Sequence, residues 1–189
     1  NFTVEDYNKI LNQVSLKIKE VDAVIVSDYD KGICTELIIN DVINKVNRLQ
    51  IPIFIDPKGK NWGKYYGATV ITPNLKEAEE FLGRILKSDK AIESGGLEIC
   101  NDLNLKACLI TKGPKGMSYI SKKIKLHVSS EAKEIYDVSG AGDTVIASFA
   151  AAKVVGFDPE TVTRFSNKAA GIVVSHIGTT AITIPELED

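Results

Sequence analysis

The chain has 189 residues, 44% hydrophobic and 25% charged, and its 23 Lys and Arg against 25 Asp and Glu give a formal net charge of −2. That composition supplies one domain with a sizeable core and excludes a disordered tail, a collagen-like chain and a disulfide-stapled miniprotein. With no positive excess to displace phosphate counterions it argues against a general nucleic-acid binder, and no apolar run nears the roughly 20 residues of a membrane span. Cys34, Cys100 and Cys108 lack CxxC spacing, so they imply neither a disulfide framework nor a zinc site and suit a reducing cytoplasm. The chain opens at Asn1 with neither Met nor a signal-peptide pattern, and reads as processed or as a piece of something longer.

Tyr7, Ile10, Leu11, Val14 and Ile18 recur at helical spacing and predict a helix over 6–19. Residues 23–26 form a short apolar run, a buried strand that Ser27-Asp28-Tyr29 ends. A helix follows over 37–49, then a strand over 51–55 stopped by Asp56-Pro57-Lys58-Gly59. A third strand covers 69–71, stopped by Thr72-Pro73-Asn74, with a helix over 76–86, and a fourth covers 107–110, stopped by Thr111-Lys112-Gly113. Residues 117–120 and 124–128 flank a Lys122-Lys123 turn and predict an antiparallel hairpin at one edge. Helices over 144–155 and 159–175 close the pattern. Strands apolar on both faces and separated by helices mean a mostly parallel sheet with helices on both sides, so residues 1–189 read as one α/β domain.

In open parallel sheets ligands bind beyond the carboxyl ends of the strands. The polar residues there are Asp28, Asp56, Asn74, Thr111 and Asp137, all expected on one rim. Turn and cap preferences explain any one of them equally well. The densest signal is Asp137-Val138-Ser139-Gly140-Ala141-Gly142-Asp143, which follows an expected extended segment over 134–136 and opens an Ala-rich helix. Small residues there let backbone N–H groups approach an anion, and the helix adds about half a positive charge at its start. A dinucleotide fingerprint would need a small residue where Val145 stands, and the nearest P-loop match, over 59–65, has the wrong spacing. A plain helix cap explains neither both glycines nor Asp137. Asp143, ionised at the helix start, could take the proton of an attacking hydroxyl during phosphoryl transfer.

These residues resemble the ribokinase-like (PfkB) sugar kinases, through 140–143, through Thr72-Pro73-Asn74-Leu75-Lys76-Glu77, and through Thr111-Lys112-Gly113 with Gly116-Met117. Within the family, Ser27-Asp28-Tyr29 with Lys31-Gly32, and 56–59, are similar to the kinase domain of bacterial heptose 7-phosphate kinases. The resemblance implies Asp143 as catalytic base, with the amides of Gly140, Ala141, Gly142 and Asp143 as the anion hole. It implies ATP with Mg²⁺, served by Asn74, Leu75, Lys76 and Glu77, the metal held through water by Asn74 and Glu77; a capping-box acid is the rival reading of Glu77. Thr111, Gly113 and Gly116 would line the nucleotide site and Asn167 would lie near adenine, unless Asn167 only packs its helix face. Asp137 and Ser139, with the loop at Gly178, match a region where relatives bind a monovalent cation such as K⁺. Lys31, Lys58 and Asp28 would meet a sugar phosphate, with solvated surface positions as the alternative for the lysines.

The implied reaction is phosphorylation of D-glycero-β-D-manno-heptose 7-phosphate at its anomeric hydroxyl, in ADP-heptose and lipopolysaccharide core synthesis. Other PfkB substrates (ribose, fructose phosphate, a nucleoside) and a non-catalytic nucleotide-binding module stay open. The resemblance leaves room for a homodimer and for a fused adenylyltransferase domain. The family's amino-terminal portion, with much of the sugar site and a small lid, does not precede Asn1. These residues alone are therefore expected to be inactive and to expose an apolar sheet edge.

Overall fold

In the computed structural model, which describes residues 3–132 and 135–188, the apolar runs become the strands of one sheet. They are β1 (Val24–Ser27), β2 (Ile53–Asp56), β3 (Val70–Ile71), β4 (Ala107–Thr111), β5 (Met117–Ser121) and β6 (Lys125–Val128). Spatial order follows chain order. The first four strands run parallel, with Ile25 opposite Phe54, Ile55 opposite Ile71 and Val70 opposite Ala107. From β4 onward the pairing is antiparallel, and β5 and β6 make the expected hairpin at one edge. At the other edge β1 pairs, among the described residues, only with β2, and Ile25 is 44% exposed.

Among the described residues seven α-helices accompany this sheet: α1 (Val4–Lys17), α2 (Glu36–Leu49), α3 (Leu75–Leu82), α4 (Asp89–Asp102), α5 (Ala141–Val154), α6 (Pro159–Val174) and α7 (Ile184–Glu188). Side-chain alternation along each strand divides the core in two. Ile53, Ile55, Ile71, Cys108 and Ile110 point to the face covered by α1 to α4 and meet Ile39, Val46 and Ile99. Phe54, Val70, Ala107 and Leu109 point the other way and meet Val145, Phe149 and Val162 of α5 and α6. Phe54 and Phe149 touch edge to face at 6.0 Å, and each such ring removed from water contributes on the order of 1.5–3 kcal/mol. Among the described residues no helix is long and apolar enough to cross a membrane.

The helix boundaries differ from expectation where capping decides them. The helix expected over 76–86 stops at Leu82, because Gly83 turns left-handed at φ 65° and closes it. The helix expected over 6–19 runs from Val4 to Lys17 and tightens into a 3₁₀ turn, Ile18–Glu20. α5 begins at Ala141 rather than 144. Periodicity missed α4 altogether, since Gly95 and Gly96 in its middle each cost about 1 kcal/mol of helix propensity. Packing explains them: a Cβ on Gly96 would lie 2.9 Å from Ile120 of β5, and one on Gly95 would lie 2.8 Å from Leu82. Of the extended segment expected over 134–136, Glu134 lies outside the described residues; Tyr136 and Asp137 each donate a backbone N–H to Val174 O, at 2.8 and 3.3 Å.

Candidate active site

Asp143 is the third residue of α5, and its carboxylate lies exposed on the rim at the carboxyl end of β1. Ser27 Oγ donates to Oδ1 at 3.0 Å and Tyr29 Oη donates to Oδ2 at 2.7 Å. Behind it Gly140 stands at φ 79°, the left-handed turn that starts the helix. The Ala141 N–H turns back to Val138 O at 3.2 Å. The N–H groups of Gly142 and Asp143 have no acceptor among the described residues, as expected for a first helical turn. Gly142 lines the cleft described below, whereas Asp143 borders a separate open space with Gly140, Thr144 and Thr179.

Asp56 ends β2 beneath this turn, its Oδ2 3.7 Å from where a Cβ on Gly142 would sit. Burial, then the charges of Glu77 and Asp143, push its carboxyl up to about 7, against which Lys58 and Thr72 act. Glu77 itself is fully engaged. It closes a capping box, accepting the Asn74 N–H at 2.9 Å while Asn74 Oδ1 accepts the Glu77 N–H at 2.9 Å. Its other oxygen pairs with Lys58 Nζ at 2.7 Å. That bond, above all, holds the Lys58 ammonium above its ordinary value. The capping role and a place on the rim therefore coexist in one residue. Leu75 and Lys76 follow as the first turn of α3, with Lys76 exposed beside Lys58 and Asn74 on the same open cleft.

Asp28 is placed differently from the other strand ends. It is 3% exposed, and its Oδ2 accepts Lys64 Nζ at 2.6 Å and Tyr65 Oη at 2.7 Å, while Oδ1 accepts the Asp30 N–H at 2.7 Å. Burial raises its pKa, but Lys64, Tyr65 and that N–H outweigh it and hold the carboxyl below its ordinary value. Its carboxylate is thus spent on anchoring the loop after β1 to the 3₁₀ turn Trp62–Tyr65. Lys31 is exposed in that loop and lines neither cleft.

A cleft of about 210 Å³ with mostly apolar walls runs from α5 to the β4–β5 turn. It brings together Thr111, Gly113, Gly116, Ala141, Gly142 and Asn167, which lie up to a third of the chain apart in sequence. Gly116 is obligatory, because at φ 83° a Cβ would come 2.0 Å from Val128 O. Asn167 is buried and donates Nδ2 to Ser129 O at 2.8 Å, fixing the cleft wall. Asn74 bridges to Thr111 across β3 and β4, which joins this cleft to the Glu77 side. At the far end Asp137 Oδ1 accepts the Ser139 N–H at 2.8 Å and Oδ2 accepts the Gly178 N–H at 3.2 Å. The Ser139 hydroxyl and N–H lower its pKa, so a fixed negative charge stands where the two loops meet.

The model of the pfkB family of carbohydrate kinases matches residues 4–187. The chain belongs to that family. A bifunctional protein HldE of Actinobacillus succinogenes is 40% identical over 190 residues, which cover 100% of this chain and 39% of that protein. The chain thus spans about two fifths of the length of such a curated relative. An Arabidopsis thaliana ribokinase complexed with ribose and ATP superposes with a TM-score of 0.74 at 23% identity, over 98% of this chain and 56% of that one. Escherichia coli phosphofructokinase-2 in complex with substrates and products gives 0.84 at 16% identity, over 99% and 61%. The shared fold is ribokinase-like.

Parts of this arrangement escape a reading of the residues in order. Ser27 and Tyr29 stand out only as part of a subgroup signature, and nothing in their spacing points to Asp143, 116 and 114 residues away. Asp56 is visible as a polar strand end, but its burial among other carboxylates is a property of the fold.

Proposed function

We propose that these residues are the nucleotide-binding, base-bearing part of an ATP-dependent sugar kinase acting on the anomeric hydroxyl of D-glycero-β-D-manno-heptose 7-phosphate. The observation that carries this reading is the exposed Asp143 carboxylate in the first turn of α5, one residue after Gly142, which lines the Thr111–Asn167 cleft. Family membership supports the reaction class. The heptose phosphate rests on Ser27-Asp28-Tyr29, Lys31-Gly32 and 56–59, the residues that resemble that subgroup.

In the reaction the acceptor hydroxyl gives its proton to Asp143 while its oxygen bonds the γ-phosphorus and the bond to ADP breaks. The N–H groups of Gly142 and Asp143 would stabilise charge on the transferring group. Mg²⁺ supplies neutralisation of the phosphate oxygens when bound. Among the described residues no three His, Cys, Asp or Glu side chains group closely enough to hold a metal. Asn74 and Glu77 would therefore act on it through water. The Asp137 carboxylate between its two loops suits a monovalent cation such as K⁺. We place the enzyme in the cytoplasm, on the route to ADP-heptose, with an adenylyltransferase domain in the rest of the protein.

Asp143→Asn in the full-length protein tests this, with ATP and a panel of heptose 7-phosphate, ribose, fructose 6-phosphate and nucleosides. The expected result is a preference for the heptose phosphate and a kcat loss on the order of 10²–10⁴-fold with nucleotide affinity kept. The engagement of Glu77 by Lys58 and Asn74 favours a second reading, a nucleotide-binding module without turnover. Nucleotide binding with no phosphoryl transfer to any of these sugars would establish it instead.

A further inference from the structure

We propose that Ser27 and Tyr29 are positioning residues that hold the base in its working direction. The inference rests on Asp143 being that base, and goes further by assigning what aims it.

An acidic side chain at the third position of a helix ordinarily reaches back to the N–H of the cap. Among the described residues this happens three times, with Asp6 returning to Thr3 in α1, Glu77 to Asn74 in α3 and Glu186 to Thr183 in α7. Asp143 occupies the same position in α5, yet its two oxygens point outward to Ser27 and Tyr29 at 3.0 and 2.7 Å. An ionised carboxylate only accepts, so both hydroxyls are the donors, and each oxygen keeps a lone pair for the acceptor's proton. Without these donors the cap N–H competes for the side chain and the staggered alternatives about χ1 reopen.

The placement of the two hydroxyls follows from strand alternation. Val24 and Val26 of β1 pack into the core under α1 to α4. Asp28 continues that face, with its N–H still in the ladder to Asp56 O at 3.1 Å. Its buried contacts with Lys64 and Tyr65 lock the strand end. Ser27 and Tyr29 are left on the opposite face, toward α5. The hydroxyls that aim the base are therefore fixed by a buried ion pair that never touches it.

The test uses the full-length protein with ATP and its best sugar substrate. Ser27→Ala and Tyr29→Phe should each lower kcat on the order of tenfold to a hundredfold, with KM for ATP and the melting temperature unchanged. Ser27→Thr, which keeps the hydroxyl, should restore most of the rate. In an Asp143→Asn background neither substitution should lower the residual rate further, because its effect passes through that carboxylate. Unchanged kcat in both single variants, beside a crippled Asp143→Asn, overturns this inference alone. So does an equal loss in the Asp143→Asn background, or a loss that tracks lowered melting. An active Asp143→Asn enzyme removes the base itself, and the functional reading falls with it.

Discussion

Asp56 is half-buried and feels the charges of Glu77 and Asp143, and its protonation is tied to stability by the shift that burial imposes. The folded chain keeps this proton up to about pH 7, whereas an unfolded chain releases it near pH ~4. Between those values the native state binds more protons than the unfolded one. Its stabilising contribution is complete below the lower value, falls as pH rises through the window, and levels off above the upper one. Asp56→Asn keeps the shape and removes the charge. Its melting temperature relative to the natural protein should therefore rise between about pH 5 and about pH 8. An offset that is the same at both pH values would contradict the buried, proton-holding carboxyl. The neighbouring Asp28 reaches the opposite state, because Lys64 and Tyr65 surround it with donors.

The elements that decide the fold were legible to different degrees, for physical reasons. Strands buried on both faces are unbroken apolar runs, so β1 to β4 stand out in the sequence, as does the hairpin around Lys122-Lys123. α4 is concealed because its two central glycines serve packing against propensity. Gly96 approaches Ile120 at the branch of that side chain, while Gly95 approaches the tip of Leu82. Alanine at either position gains about 1 kcal/mol of helix propensity. At Gly96 the crowding of Cβ against Ile120 costs more than that gain, typically 1–3 kcal/mol. Urea unfolding should rank Gly96→Ala below both the natural protein and Gly95→Ala, whose neighbour can swing aside. Equal or higher stability for Gly96→Ala would mean that α4 and β5 are not in that close contact. The glycine turn opening α5 was legible because its small residues and its acid are adjacent in sequence.

At the scale of the whole molecule, the site is gathered from both ends of the chain onto one rim. β1 and the loop after it supply Ser27 and Tyr29, β2 supplies Asp56, the start of α3 supplies Asn74 and Glu77, and α5 and α6 supply Asp143 and Asn167. That the strand ends would share a rim could be read from the parallel order alone. Which ends face the rim could not, since that depends on partners 36 to 116 residues away, such as Lys64 for Asp28 and Asp143 for Ser27. The alternation in β1 sets a strict reading frame. Removing one residue from 24–27 would turn a carboxylate toward Asp143 and drive a tyrosine against Lys64. A scan of single-residue deletions, read by thermal unfolding, should find 24–27 intolerant and the exposed stretch 31–33 forgiving in folding. Equal tolerance of the two stretches would refute that frame. Within this stretch a viable descendant therefore changes length in the loop and alters the first strand by substitution alone.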